Sequence, residues 1–384
     1  MAISKKKNAT LYFQNYTNLM NFLKSAKFKY NVGRILRIAI FWSLGGAADA
    51  LLLYVIRDSF YFVATERYVF LHHFLANVVS YFLVGLISGY LMVYWLRDRL
   101  RQLTFFANLL IQVVVMATVV MFLSIIMYIV FFSVVDELPL MDSDVLKSAS
   151  ELFLSTFNIR NTIFAFFLAI ASVIFLNVND KYGPGVLSAY FLGKYHQPKQ
   201  EERIFMFVDM KASTTIAERI GNIKFHNLLN DFFRDLTDPV LYTDGEVYQY
   251  VGDEIIVSWT MKHGLEDFNC VRCFYAMQEA IVMKKEFYQE KYGLVPEFKA
   301  GLHCGQVTTG EIGVIKRDIA YSGDVLNTTA RIQAKCNDFG VEILLSKYLL
   351  DKLNIPLNSL IQKRIGEIDL RGKVETVVLF TLEE

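Results

Sequence analysis

A chain of 384 residues with a formal net charge of +1 is long enough for two or three domains, and its balanced charge gives no basic surplus for a nucleic-acid partner. Its 54% hydrophobic content, with 32 Phe, excludes a single soluble domain. The apolar excess lies before about residue 180, and from Glu201 onward charged residues recur every few positions as in a globular domain.

Taken in chain order, the residues divide into a basic arm (1–34), a bundle of four transmembrane helices (35–178), a linker (179–202) and an α+β domain (203–384). The four apolar segments are 38–56, 69–96, 103–135 and 162–178. Each is close to or above the roughly 17–20 residues that cross about 30 Å of hydrocarbon, the last being the shortest. The first starts too far into the chain, and lacks the small-residue cleavage pattern, for a signal peptide. Lys5, Lys6, Lys7, Lys24, Lys27, Lys29, Arg34 and Arg37 precede the first span, and Arg97, Arg99 and Arg101 follow the second. The connections 57–68 and 136–160 are mixed or acidic, so both termini are expected on the cytoplasmic side of an inner (plasma) membrane.

Asp49 interrupts the first span, where a carboxylate is costly. His72, His73 and Asn77 lie toward one end of the second span, and Asn108 and Gln112 toward one end of the third. Interhelical hydrogen bonding, with Gly45, Gly46, Ala47 and Ala48 permitting close approach, is the favoured reading, ahead of a ligand, proton or metal sensor.

The linker "NDKYGPGVLSAYFLGKYHQPKQEER" is punctuated by Gly183-Pro184-Gly185, Gly193 and Pro198. Beyond it, "RIFMFVDM", a helical run from Thr214, "EVYQYVG", "EIIVSWT", a helix around 271–290 and "EFKAGLHCGQVTTGEI" read as β-α-β-β-α-β. That order predicts a ferredoxin-like core with helices on one sheet face. It makes the first strand a neighbour of the hairpin, so Asp209 and Asp253 converge at one sheet end. Two carboxylates so placed repel each other, which points to a divalent cation. Backbone amides of "MKASTT", at Ser213 and Thr214, open a helix N-terminus suited to phosphate oxygens. Later, Asn327 and Arg331 stand four apart on one helix face, and "LRGKVE" adds the cations Arg371 and Lys373. Cys270 and Cys273 form a C-x-x-C inside a helical run with no zinc-spaced partner, and all four cysteines read as structural free thiols.

In order, "FMFVDMKASTTIAERIG", "VYQYVGDEIIVSW", "AGLHCGQVTTGEIG", "YSGDVLNTTARI" and "LRGKVE" resemble the catalytic domain of class III nucleotidyl cyclases, in particular the membrane-anchored bacterial members. The resemblance implies two metal ions, Mg²⁺ or Mn²⁺, on Asp209, Asp253 and the carbonyl of Met210. It implies that Asn327 orients the ribose, that Arg331 stabilises the pentavalent phosphorus, and that Lys373 meets the terminal phosphates. It further implies a head-to-tail homodimer with two composite sites, where the ribose 3′ oxygen of a nucleoside triphosphate attacks the α-phosphorus and pyrophosphate leaves. Two positions depart from the family pattern. Gln249 stands where adenylate cyclases carry a base-reading Lys, and Ala320 where they carry Asp or Thr; the Glu and Cys usual in guanylate cyclases are absent as well. ATP is preferred because the acidic guanine reader is missing, with GTP, a diguanylate cyclase and a catalytically silent membrane receptor or scaffold as the alternatives. The membrane half is expected either to anchor the cyclase in the bilayer or to sense an unidentified ligand through the linker.

Overall fold

The computed structural model describes residues 2–56, 70–100, 103–182, 197–315, 318–353, 361–369 and 376–383. Residues 29–182 form one compact unit, and residues 183–384, with the first 28, the other.

α1 (Ala2–Ile56), which enters the first unit at Lys29, and α2 (Phe70–Tyr90), α3 (Phe105–Asp136) and α5 (Thr156–Tyr182) within that unit carry the four predicted spans, here Phe28–Val55, Phe74–Leu96, Phe106–Asp136 and Asn158–Asn177. Each is long and apolar enough to cross a membrane. A π-helical turn, Leu91–Leu96, ends the second. The sequence reading treated 136–160 as a plain connection, but it holds a further helix, α4 (Ser143–Phe153). Asp142 caps α4, its side chain accepting from the Asp144 amide at 2.9 Å, and Val145 and Ala149 are buried.

The bundle interior is apolar: Ile38, Trp42, Met92, Leu96, Val113, Met116, Ala169 and Val173 are all buried. Large apolar side chains such as Leu44, Val79, Phe122 and Phe167 point outward, the inverse of a water-soluble bundle. Polar groups are paired between helices. Asp49, only 1% exposed, accepts from Arg160 Nη2 at 3.1 Å and from Asn77 Nδ2 at 3.4 Å. Trp42 Nε1 of α1 donates to Ser172 Oγ of α5 at 3.0 Å, whereas Gln112 donates to Asn108 one turn away on the same helix, α3, so that pair bonds within a helix and not between helices as expected. The interhelical reading of Asp49 and Asn77 therefore holds, with α1 meeting α2 and α5 closely at Gly46 and Gly45. The side chains of His72 and His73 lie outside the described residues.

The second unit is α+β. Its strands are β1 (Lys199–Met210), β2 (Glu246–Val251), β3 (Glu254–Thr260), β4 (Phe298–Ile312), β5 (Asp318–Ser322), β6 (Ile343–Ser346), β7 (Ile361–Asp369) and β8 (Thr376–Glu383). They form one mixed sheet in the order β2-β3-β1-β4-β6-β8-β7, with β5 paired to the end of β4. The first four strands are antiparallel neighbours, as the β-α-β-β-α-β order requires; β4 and β6 are parallel. β1 starts at Lys199, so the last four residues assigned to the linker already pair with β4. Residues 183–196 of that linker lie outside the described residues.

The predicted helices subdivide. The run from Thr214 is α6 (Ser213–Ile220) and α7 (Asn222–Tyr242), separated at Gly221; the later one is α8 (Asn269–Met283) and α9 (Lys285–Tyr292). Both sides of β1 are buried because the strand is apolar at both parities. Ile204, Met206, Val208 and Met210 pack on Leu228, Phe232, Leu236, Phe274 and Met277 of α7 and α8. Phe205 and Phe207 pack on the opposite face with Ile256, Val307 and Val325, the last from α10 (Asp324–Phe339). Each such side chain contributes about 1.5–3 kcal/mol on burial, which holds the strand ends, and the polar groups on them, in fixed register. Cys270, Cys273, Cys304 and Cys336 are free and buried, and burial pushes the Cys273 thiol up to about 12, in keeping with structural roles.

Candidate active site

Asp209 is the penultimate residue of β1, on the sheet face of Phe205 and Phe207. Its cross-strand partners are Glu254 on β3 and Lys299 on β4, so three charged residues lie side by side across three strands. Lys299 Nζ is 3.2 Å from Asp209 Oδ2 and is itself buried. The β2–β3 hairpin supplies the next group. Gly252, at φ +61, and Asp253 form a two-residue loop, with positive φ at the first position only, which favours Gly there. That tight turn brings the Asp253 carboxyl within hydrogen-bonding reach of Asp209.

The electrostatics follow from the crowding. Burial, then the Asp253 charge, pushes the Asp209 carboxyl above its ordinary value against the pull of Lys299. Burial, then Asp209 and Asp253, pushes Glu254 up to about 7. From the sequence, Glu254 beside Asp253 reads as a structural residue of the hairpin and Lys299 belongs to no motif; the alternation of strand parity, applied to the register of β3 and β4 on β1, is the signal that finds both. Three carboxylates facing one ammonium group carry an excess of negative charge, and oxygen donors of this kind fit a divalent cation such as Mg²⁺ or Mn²⁺. Among the described residues no group of three or more His, Cys, Asp or Glu side chains is arranged to enclose a metal by itself. Further ligands would come from backbone carbonyls and substrate oxygens. Met210 can offer only its backbone, because its side chain is buried in the core on the far face.

α6 begins directly after the strand end. Ala212 before it is left-handed (φ 55, ψ 30) and makes no side-chain cap, while Ser213 is half-buried and Thr214 exposed in the first turn. On the other side of Asp209, α10 crosses β4 at Gly301, where an added Cβ would lie 2.3 Å from the Gln333 backbone nitrogen. This close crossing lets Gln333 Nε2 donate to Asp209 Oδ2 at 3.2 Å. Arg331 is two residues from Gln333, about 200° around the helix, and Asn327 lies one turn before Arg331. Asn327 is exposed and Arg331 half-buried. The helix thus gives Gln333 to its own Asp209 and turns the Asn327–Arg331 face elsewhere.

Gln249 is exposed on edge strand β2, beside a bulge between Val247 and Gln249, and Ala320 is half-buried on β5. Their chain neighbours meet: the rings of Tyr248 and Tyr321 lie 4.8 Å apart, and the Tyr321 amide donates to Tyr248 Oη at 3.4 Å. The two positions to which the resemblance assigns base reading are therefore brought near each other although far apart in sequence. Arg371 and Lys373 lie outside the described residues.

Residues 195–384 match the family model of the adenylate and guanylate cyclase catalytic domain. The C-terminal half is a class III nucleotidyl cyclase domain. Adenylate cyclase 2 of Rhizobium meliloti (strain 1021) is 34% identical over 210 residues, covering 55% of this chain and 58% of that protein. An adenylate cyclase of Anabaena cylindrica is 25% identical over 190 residues (46% and 36%), and the receptor-type guanylate cyclase gcy-7 of Caenorhabditis elegans 24% identical over 147 (37% and 13%). The chain thus spans less than two thirds of the length of these relatives. Among solved structures, the adenylyl cyclase CyaB from P. aeruginosa is 18% identical, with a TM-score of 0.43, covering 49% of this chain and 96% of that one. In the cyclase domain here, Asp209, Met210, Ser213 and Thr214 follow one another at one sheet end, and Asp253 folds back toward Asp209.

Proposed function

We propose that this chain is a membrane-anchored adenylate cyclase that converts ATP to 3′,5′-cyclic AMP and pyrophosphate at sites shared by two copies. The observation that carries the reading is the convergence of Asp209 and Asp253 at the end of β1, beside an uncapped helix N-terminus, within a domain of the cyclase family. Asp209, Asp253 and the Met210 carbonyl would hold two divalent cations, Mg²⁺ or Mn²⁺. Ions held by these residues would lower the pKa of the ribose 3′ hydroxyl and shield the triphosphate. The amides at Ser213 and Thr214 bind phosphate oxygens, and Lys299, with Lys373 and Arg371, supplies cationic contacts to the triphosphate chain. The 3′ hydroxyl gives its proton to solvent water, and its oxygen attacks the α-phosphorus as the bond to the departing pyrophosphate breaks.

Asn327 and Arg331 act on the ribose and the pentavalent phosphorus in the partner's site. Arg331 lies about 200° and Asn327 about 240° around the helix from Gln333, which faces the chain's own Asp209, and this separation supports a head-to-tail homodimer. Gln249 and Ala320 line the base. ATP is favoured by the curated adenylate cyclases among its relatives. The second reading, GTP to cyclic GMP, rests on Gln249, whose amide both donates and accepts and can rotate to suit guanine.

The helical unit anchors the enzyme in the bilayer with both termini cytoplasmic, where the nucleotide is found. Cyclic product formed by the full-length protein from ATP and from GTP, with Mg²⁺ or Mn²⁺, tests the reading. Cyclic AMP that disappears in Asp209→Asn and in Arg331→Ala, and returns when the two variants are mixed, is expected of composite sites. A folded dimer with no product from either nucleotide would replace it with the silent scaffold. A truncated chain starting at residue 195 that matches full-length activity and dimerisation would remove the spans from regulation.

A further inference from the structure

Asp209 is gripped twice on one oxygen. Lys299 Nζ and Gln333 Nε2 each lie 3.2 Å from Oδ2. The two donors differ in what they do to a cation. Lys299 offsets the carboxylate charge and repels an incoming metal, whereas the Gln333 amide is neutral and fixes orientation alone. Gln333 is 6% exposed and sits on the buried side of α10 with Ile332 and Cys336, so its reach is set by the backbone crossing at Gly301. With Gln333 removed, Lys299 alone would hold Oδ2, and the carboxylate would spread over more of its χ wells.

We infer that Gln333 is the positioning residue of the metal site: its amide holds Oδ2 of Asp209 and thereby presents Oδ1 to the cation shared with Asp253. The inference rests on the cyclase reading for the metal but adds a residue outside the set that reading uses. It also gives α10 two tasks, one on each side: Gln333 serves the chain's own Asp209, and Asn327 with Arg331 serves the partner.

The test is Mn²⁺ binding without nucleotide, followed by electron paramagnetic resonance of the free ion, on the full-length protein in detergent. Gln333→Met keeps the length and removes the donor; Gln333→Asn keeps the amide and withdraws it by one methylene. Both are expected to weaken Mn²⁺ binding about tenfold to a hundredfold, the usual effect of losing an outer partner of a ligand, with the metal-free melting temperature unchanged. Arg331→Ala should retain wild-type Mn²⁺ affinity while losing turnover, which separates failure at the metal from failure in catalysis. Unchanged Mn²⁺ affinity in both Gln333 variants, alongside its loss in Asp209→Asn, would overturn the inference. So would a fall in metal-free melting temperature that accounts for the whole loss. Wild-type affinity in Asp209→Asn would remove the metal assignment and the inference together.

Discussion

Gly301→Ala is the substitution whose consequence follows most directly from the geometry. The added methyl would meet the Gln333 backbone at 2.3 Å from nitrogen and 2.6 Å from Cα, against an ordinary contact that starts at 3.4 Å. Backbone in a packed helix has no rotamer escape, so α10 must move away from β4 by about 1 Å. Overpacking of this kind costs about 1–3 kcal/mol. For a domain of this size each kcal/mol lowers the melting temperature by about 2–4 °C, so a drop of roughly 2–12 °C is expected. The same shift carries Gln333 away from Asp209 and displaces Arg331. Misplacement by about 1 Å costs on the order of a hundredfold in rate. Differential scanning calorimetry and initial rates of cyclic AMP formation read the two effects. A Gly301→Ala protein with the melting temperature and turnover of the wild type would show that α10 is not seated through this contact, and would refute the reasoning.

Four further outcomes are expected. Asp253→Asn should reduce cyclisation by at least about a hundredfold without unfolding the domain, measured by product chromatography beside circular dichroism, because the hairpin turn needs Gly252 and not the charge. Gln249→Lys should raise the ratio of kcat/KM for ATP over GTP, since an ammonium only donates whereas the amide also accepts; an unchanged ratio would remove Gln249 from base reading. At the back of the domain Asp231 is bonded by Lys291 at 2.7 Å, Tyr292 at 2.6 Å and Arg234 at 2.6 Å; burial opposes ionisation there, but these partners outweigh it and hold the carboxyl below its usual range. A depressed folded pKa adds stability above the unfolded pKa that is lost as pH falls through the folded one, so Asp231→Asn should lower the melting temperature at pH 7 and flatten its decline below about pH 5. In the bundle, Arg160→Met leaves Asp49 buried and short of its cation, a loss of roughly 3 kcal/mol given that Arg160 is a third exposed, whereas Asp49→Asn/Arg160→Met together should recover part of it in detergent unfolding assays.

Much of this was legible in one dimension because periodicity and composition are local. Apolar runs of sufficient length mark the four spans whatever surrounds them, and the β-α-β-β-α-β order restricts the sheet to few arrangements. Asp209 and Asp253 were found because each ends a strand or makes a turn, and strand order alone makes them neighbours. Other features needed the folded chain. Arg160 as the partner of Asp49 depends on which helices touch, which hydropathy does not encode. The helix α4 is a short amphipathic element whose signal is weak beside the long spans that flank it. Glu254 and Lys299 became part of the site only through the cross-strand register on both sides of β1, where a slip of one residue would have turned each to the other face. Gln333 depended on the distance between a helix and a strand at a single glycine, set by side-chain volume in three dimensions. The sequence by itself therefore determined the spans, the order of the first four strands and the paired aspartates, because these follow from chain-local physics and connectivity. The tertiary structure alone decided which groups share an oxygen of Asp209 and which side of α10 turns away from it, because packing distance and helix rotation are properties of the assembled core.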